Sequence, residues 1–120
     1  MTNAEIFRTY LERFTRGDLD GAAELLDERF TFTGPILQTT SKAEFLAGSS
    51  AAAAMARGCE IHHQWVDEDS VCSIYDFEIE TPVGTGSIPM AEWTVINGGK
   101  LVASRLIFDT ADMAALMPPA

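Results

Sequence analysis

The first half of the chain carries apolar residues at helical spacing. After a T-x-x-E capping box that begins at Thr2, apolar side chains recur every three or four positions up to Phe14, which predicts an amphipathic helix. Asp18 can cap a second, short helix, and residues 29–35 indicate a short strand. Ser41 opens a third helix that runs through an alanine-rich segment.

The third helix is expected to end near Gly58. After this residue, apolar side chains recur at every second position, as in a strand. Further strands follow in antiparallel hairpins joined by the turns D-E-D-S, P-V-G-T-G and N-G-G, and Asp109 caps a short last helix. Helices first and strands later indicate the α+β class, with helices packed on one face of a bent sheet. The length fits a single domain over residues 1–120.

Alternation along the strands predicts which side chains share a face of the sheet. With D-E-D-S as the first loop, Val66 lies opposite Val71, and one of the two faces is apolar with one imidazole and one carboxylate. We expect this face to line a pocket; it carries Ile61, His63, Trp65, Cys72, Ile74 and Asp76.

The N-G-G hairpin extends the same argument. The turn places Val95 opposite Val102 or Lys100, and in both registers Glu92 and Arg105 share the outer face as an exposed ion pair. The other face is then a pocket wall, and it carries Ala91, Trp93, Ser104, Leu106 and Phe108.

The ionisable residues on the predicted pocket face are suited to proton transfer. His63 and Asp76 lie diagonally, roughly 5–8 Å apart at the backbone, so they can form a hydrogen-bonded pair that acts as general acid and base. Two other interpretations stay open: His63 is a core residue with Asp76 as its partner, or a slipped register leaves Asp76 in solvent. The expected substrate-binding residues are Phe14, Trp65, Trp93, Ser104, Leu106 and Phe108.

Composition excludes several classes of partner. The net charge of −10 argues against nucleic acid and anionic membranes, and the absence of a long apolar run or signal-peptide pattern favours a cytoplasmic protein. Cys59 and Cys72 have no metal-like spacing and are expected to be reduced thiols, one of them buried. His62 and His63 point to opposite faces of a regular strand and cannot share one ion, so no metal site and no cofactor are expected.

Two segments carry a family resemblance. Residues 10–35 (YLERFTRGDLDGAAELLDERFTFTGP) and 91–109 (AEWTVINGGKLVASRLIFD) resemble the nuclear transport factor 2-like superfamily, in its SnoaL-like and ketosteroid-isomerase-like branch. The resemblance implies a cone-shaped curved sheet around the N-terminal helices, a pocket at the open end, and a homodimer. The superfamily includes isomerases, polyketide cyclases, epoxide hydrolases, dehydratases and proteins without catalytic activity.

Catalytic positions of the family match this chain only in part. Tyr10 has the spacing of the oxyanion-hole tyrosine of ketosteroid isomerases, although it can equally be a core aromatic residue. Gly34 stands where those enzymes carry the base, and Ala91 stands where they carry a protonated aspartic acid. Leu106 replaces the aspartate of limonene-epoxide-hydrolase-like members. The resemblance therefore excludes both reactions in their known forms.

Two functions remain. The first is a cofactor-independent enzyme, an isomerase, cyclase or dehydratase, that acts on a small hydrophobic compound bearing a carbonyl group. In it Asp76 is the general base, His63 its partner and Tyr10 a hydrogen-bond donor to the developing oxyanion. The second is a non-catalytic module that binds an apolar ligand or a protein partner.

Overall fold

A computed structural model describes residues 1–118 as helices packed against one face of a curved, open sheet, which confirms the predicted α+β class. The last two residues of the predicted domain lie outside the described part. No helix within residues 1–118 is long and apolar enough to cross a bilayer. The elements are α1 (Asn3–Thr15), α2 (Leu19–Ala23), β1 (Leu26–Thr33), β2 (Gln38–Thr39), α3 (Lys42–Met55), β3 (Ala56–Asp67), β4 (Ser70–Thr81), β5 (Gly84–Asn97), β6 (Lys100–Ile107) and α4 (Thr110–Ala114).

The predicted caps start all four helices. Thr2 accepts a hydrogen bond from the Glu5 backbone N–H, and the side chains of Asp18, Ser41 and Asp109 accept equivalent bonds at the starts of α2, α3 and α4. Two predicted bounds differ: β1 spans Leu26–Thr33 instead of residues 29–35, and α3 ends earlier than expected. Extended backbone begins at Ala56, so the predicted end near Gly58 falls inside β3.

The strands form one six-stranded sheet in the order β2-β1-β6-β5-β4-β3. Only the β1–β6 pair is parallel; all other neighbours run antiparallel. Gly98 and Gly99 make the tight β5–β6 turn, with φ values of 61° and 78° that a primed hairpin turn requires. This turn brings β6 back between β5 and β1, so the sheet has no gap behind the helices.

A bulge between β3 and β4 changes the first hairpin. Val66 lies opposite Val71, as predicted, but the pairing shifts by one residue between Ile61 and His63. His62 is the extra residue, and it lies on the same face as His63, since neighbours in a bulge can oppose a single residue of the partner strand. The prediction that the two imidazoles point to opposite faces is therefore wrong.

A second bulge, between β5 and β6, exchanges the faces of the last hairpin. Ile96 pairs with Leu101, but Val95 pairs with Ala103, which makes Val102 the extra residue. Both predicted registers, with Val95 opposite Val102 or Lys100, are wrong. Because strand side chains alternate, one inserted residue is enough to separate the predicted groups. The resulting pairs are Glu92 with Leu106, Trp93 with Arg105 and Ala91 with Ile107.

The helices cover the face of β4 opposite to the one that the sequence favoured. Tyr75 and Phe77 are buried against them, while Trp65, on the other face, is 56% exposed. The inner set of β4 is largely apolar along the whole strand, whereas the outer set ends in Asp76, Glu78 and Glu80, so alternation over the full strand favours the observed inner face. The packing of α1 agrees, since Phe7 lies 6.4 Å from Tyr75 between ring centroids.

The core centres on an aromatic cluster around Phe45 of α3. Its ring lies 5.1 Å from Phe30, 5.0 Å from Phe32 and 6.3 Å from Phe14, between centroids, and its side chain is 2% exposed. This cluster joins α1, β1 and α3, and it forms part of the wall of the cavity described below.

We predict that Phe45→Ala lowers the free energy of unfolding by about 3–5 kcal/mol, because a buried ring is replaced by a void. Denaturant unfolding monitored by circular dichroism measures the change. Ile36→Ala, at a side chain that is 67% exposed, is the control and should stay within about 0.5 kcal/mol of the parent. Equal losses in the two variants would contradict this description of the core.

Candidate functional site

A cavity of ≈ 170 Å³ lies between the helices and the inner face of the sheet. Residues from α1, β1, α3, α4 and the three central strands β4, β5 and β6 contribute to its wall. The wall is apolar except for four side chains: Tyr10, Ser49, Tyr75 and Glu92. A concave, mostly apolar site with a few polar groups is the usual form of a small-molecule site.

Glu92 is the carboxylic acid in that wall. Its side chain is 4% exposed, and both of its oxygens accept hydrogen bonds. The Tyr75 hydroxyl donates to Oε1 at 2.8 Å, and the Ser104 hydroxyl donates to Oε2 at 2.5 Å. The Ser104 oxygen in turn lies 2.9 Å from the Thr94 hydroxyl. The result is a buried chain of three hydroxyl groups around one carboxyl.

Burial governs the protonation of these groups. Loss of hydration raises the pKa of Glu92 above its ordinary value, against the opposing effect of the hydrogen bonds from Ser104 and Tyr75. Burial, and then the nearby charge of Glu92, raise the pKa values of Tyr75 and Tyr10 well above 10.0. The two phenols therefore stay protonated as hydrogen-bond donors, and Glu92 is the group of the cavity that can gain or lose a proton.

Several residues named from the sequence lie where they were expected. Tyr10, Phe14, Leu106 and Phe108 line the cavity. Ser104 is buried behind Glu92 and reaches the cavity only through its hydrogen bond to that carboxyl. These placements leave the roles of the residues to experiment.

The predicted acid–base pair lies elsewhere. Asp76 is on the outer face, where its Oδ2 is 3.0 Å from Nε2 of His62, not of His63. This hydrogen bond to Asp76 raises the pKa of His62. His63 stacks on Trp65 in solvent, with 5.5 Å between ring centroids. The bulge at His62 explains the exchange of partners, because it brings His62 rather than His63 to Asp76.

Trp65 and Trp93 also face outward, where they line a shallow groove on the outer face of the sheet, so the prediction that they line the cavity is wrong. They are 56% and 51% exposed, and Cys72 lies between them across the sheet. Ala91, where the family resemblance led us to look for an acid, is on this outer face too. The wrong choice of inner face on β4 accounts for both, since each tryptophan pairs with Cys72. The bulge at Val102 separates Trp93 from Leu106, with which it was grouped.

Glu92 was interpreted from the sequence as half of an exposed ion pair with Arg105. The structure contradicts that interpretation, since the two side chains lie on opposite faces. One signal in the sequence does point to the cavity: Glu92 shares its parity along β5 with Ile88, Met90 and Ile96, all of which are buried. A carboxylate within such an alternating apolar set is a candidate for a buried ionisable group.

A group of three possible metal ligands lies on the outer face. Ligand atoms of Glu60, His62 and Asp76 all lie within 4.8 Å of one another. One imidazole and two carboxylates would suit a divalent cation, but here two of the three donors already bond to each other. The group is separate from the cavity and plays no part in its chemistry.

Cys59 and Cys72 are free thiols, each partly exposed, so the prediction that one of them is buried is wrong. Partial burial raises the pKa of the Cys59 thiol. That side chain is therefore less ready to ionise than an ordinary cysteine.

Comparison with known proteins gives a family and a fold. The model of the SnoaL-like domain family matches residues 7–104 of this chain. None of the curated proteins matches the chain by sequence.

Solved structures match over almost the whole chain at low sequence identity. An NTF2-like protein of unknown function from Cytophaga hutchinsonii has a TM-score of 0.79 at 17% identity, covering 95% of this chain and 96% of that one. A protein with a ketosteroid isomerase-like fold from Catenulispora acidiphila, in complex with trimethylamine, has a TM-score of 0.82 at 15% identity, with 96% and 93% covered. A putative SnoaL-like polyketide cyclase from Jannaschia has a TM-score of 0.81 at 15% identity, with 98% and 93% covered.

We predict that Glu92→Gln removes a pH-dependent loss of stability. The raised pKa means that, as pH rises above the ordinary glutamate range, the unfolded chain releases this proton before the folded protein does. Wild-type stability therefore falls until the pH exceeds the folded pKa, whereas glutamine has no proton to release.

Denaturant unfolding from about pH 4.5 to pH 8 measures this effect. The stability of Glu92→Gln relative to wild type should increase with pH. Glu78→Gln makes the same chemical change at an exposed position of β4 and serves as the control. A difference between Glu92→Gln and wild type that stays constant with pH would argue against a buried acid with a raised pKa.

Proposed function

We propose that this chain, which belongs to the SnoaL-like domain family, binds a small hydrophobic molecule in its cavity and transfers a proton to or from it through Glu92. The observation that carries the proposal is the position of Glu92. It is the one carboxylic acid among the described residues of a mostly apolar cavity wall. Ionisable groups with perturbed pKa values are enriched at catalytic sites, and general acid–base catalysis requires such a group beside the substrate.

The size of the cavity limits the substrate to about one ring. A volume of ≈ 170 Å³ is close to the roughly 150 Å³ of an engineered apolar cavity that holds benzene. The aromatic side chains of Phe14 and Phe45 offer flat apolar contacts on one side. We therefore infer a cyclic or short branched compound as the substrate, and a carbonyl group is the function on it that suits a general base beside a hydroxyl donor.

The proposed chemistry is abstraction of a proton next to the carbonyl group. The Glu92 carboxylate takes the proton from carbon, and a tyrosine hydroxyl donates a hydrogen bond to the oxygen that becomes negative. Tyr10 is the candidate for this donor, because Tyr75 is already bonded to Glu92. Return of the proton to a different carbon gives isomerisation. If a hydroxyl group stands on the β-carbon, the protonated Glu92 can return the proton to that oxygen instead, so that water leaves as the carbon–carbon double bond forms, which is dehydration. Neither outcome requires a cofactor.

A second candidate function is ligand binding without catalysis. It is favoured by one observation: both oxygens of Glu92 already accept hydrogen bonds from within the protein. A carboxylate held in this way can serve as a structural partner of Tyr75 and Ser104. Each of its oxygens still has a second lone pair, however, so these bonds leave Glu92 able to act as a base.

Hydrogen exchange on a simple ketone tests proton transfer without knowledge of the natural substrate. Cyclohexanone is incubated with the protein in D₂O, and the loss of its α-proton signal is followed by proton NMR. We predict exchange above the buffer rate, reduced about 10²–10⁴-fold by Glu92→Gln and less by Glu92→Asp.

Asp76→Asn is the matched control, because it removes the carboxylate that the sequence favoured as the base. It should leave the exchange rate unchanged, since Asp76 lies outside the cavity. Loss of exchange in Asp76→Asn, but not in Glu92→Gln, would refute the assignment. Binding of cyclohexanone without exchange would identify the second candidate function.

We further propose that the outer face of the sheet forms a homodimer interface. An outer apolar patch consists of Trp65, Cys72, Ile74, Ala91, Trp93 and Ile107, which neighbour one another across β3, β4, β5 and β6. Trp65, Trp93 and Ile107 are each more than half exposed. Contiguous exposed apolar surface is typical of protein interfaces. A second copy with the same net charge of −10 repels the first, so salt should favour association.

Sedimentation velocity tests the dimer. We predict that wild type dimerises more tightly at about 0.5 M salt than at low salt, and that Trp93→Arg is monomeric, because it introduces a charge into the outer apolar patch. Val83→Arg, at an exposed apolar residue of the β4–β5 turn, is the control and should still dimerise. A wild-type protein that stays monomeric at all concentrations would refute the interface.

The unpaired cysteines support a reducing compartment, and we propose the cytoplasm.

A further inference from the structure

The Ser49 hydroxyl is buried in the cavity wall without a partner. Ser49 lies in the middle of α3 and is 4% exposed, and its Oγ makes no hydrogen bond within residues 1–118. Buried hydroxyl groups are nearly always hydrogen-bonded, because removing one from water without replacing its bonds costs free energy.

Other hydroxyls on the helices of this chain do have partners. Thr9 donates to the Glu5 carbonyl at 2.9 Å, and Thr15 donates to the Leu11 carbonyl at 2.8 Å. Ser50, the neighbour of Ser49, donates to the Ala47 carbonyl at 3.1 Å. Bonds of this kind, back to the preceding turn, are the usual solution for serine and threonine inside a helix. Ser49 lacks such a bond, although Ser50, the next residue of the same helix, has one.

The side chains beside Ser49 on the cavity side of α3 offer no hydrogen-bond partner. They belong to Phe45, Gly48 and Ala52 and have no polar atoms. An oxygen atom of a molecule bound in the cavity would supply the partner that Oγ lacks.

Ser49 and Glu92 belong to different walls of the same cavity. Ser49 projects from a helix, whereas Glu92 projects from the sheet. A ligand with a single oxygen, engaged at Glu92 and Tyr10, leaves the Ser49 hydroxyl unsatisfied. A site built to bond a second oxygen discriminates strongly against analogues that lack it, because its own buried polar group is then left unpaired.

We propose that Ser49 is a specificity-determining residue that binds a second oxygen of the ligand. The substrate class is then a ring with two oxygen functions, one placed at Glu92 and the other at Ser49, such as a cyclic hydroxyketone. This inference rests on the proposed function of the cavity, and it narrows the substrate from ketones in general to doubly oxygenated rings.

The test compares two ketones that differ by one group of similar size: 4-hydroxycyclohexanone and 4-methylcyclohexanone. Their affinities for wild type and for Ser49→Ala are measured by NMR titration. We predict that Ser49→Ala binds the hydroxyketone about tenfold more weakly than wild type does, as expected for the loss of one buried hydrogen bond, and binds the methylketone at least as well.

The stability of the ligand-free protein gives an independent readout. Ser49→Ala should raise the melting temperature, because it removes an unsatisfied hydroxyl and improves helix propensity. Ser50→Ala makes the same change in propensity at an exposed position. It should raise the melting temperature less and change neither affinity.

Three outcomes overturn the inference. Equal weakening of both ketones by Ser49→Ala would mean that Ser49 only shapes the wall, and no weakening of either would mean that it does not touch the ligand. A melting temperature lowered by Ser49→Ala would mean that the hydroxyl is satisfied within the protein. Each of these results leaves Glu92-dependent hydrogen exchange on cyclohexanone intact. Failure of the proposed function is recognised separately, by the absence of that exchange and of binding by any ketone to wild type.

Discussion

Strict alternation of side chains along a strand is the constraint on which this structure depends. Each residue of β5 faces either the helices or the outside, and its neighbour in β6 must face the same way. Val102, as the extra residue of a bulge, offsets the two strands by one position. Glu92 consequently meets Leu106 at the cavity, whereas Trp93 meets Arg105 outside. The inner face of Glu92 is set by its regular pairing with Ser73 of β4, and the offset decides that Leu106 rather than Arg105 lies beside it.

A carboxyl group at this position is tolerated because donors surround it. An isolated buried carboxylate would simply take up a proton or destabilise the fold. Tyr75 and Ser104 bond one oxygen each, and Thr94 extends the chain from Ser104. These residues lie on the three adjacent central strands of the sheet, so the donors are positioned by strand pairing rather than by loops. Such a supported group keeps its geometry whether the cavity is filled or empty.

Features that depend on residues close together in the sequence could be predicted, and features that depend on contacts between distant residues could not. The caps at Thr2, Asp18 and Ser41 depend on neighbours within a few residues, and the structure confirms them. The α+β class follows from the order of the patterns, and Tyr10 lies in the cavity as its family position implied.

The faces of the strands were harder to predict. The bulges at His62 and Val102 insert residues of ordinary strand propensity, which no local pattern marks. Beyond the bulge at Val102 the faces of β6 are exchanged, which explains why Leu106 lies beside Glu92 and not beside Trp93. The misplacement of Asp76 has a different cause. Near the turn both faces of β4 carry apolar residues, and only farther along the strand do Glu78 and Glu80 mark the Asp76 face as the outer one.

The hydroxyl chain around Glu92 also affects how fast this residue can change its protonation state. A hydroxyl group both donates and accepts, and its hydrogen turns about a single bond. If Glu92 gains a proton on Oε2, Ser104 can accept from it and donate to Thr94 instead, with no heavy atom displaced. The two protonation states then share one set of atomic positions. Their exchange requires transfer of the proton and rotation of the hydroxyl hydrogens, and it need not wait for the slower opening of a loop or helix.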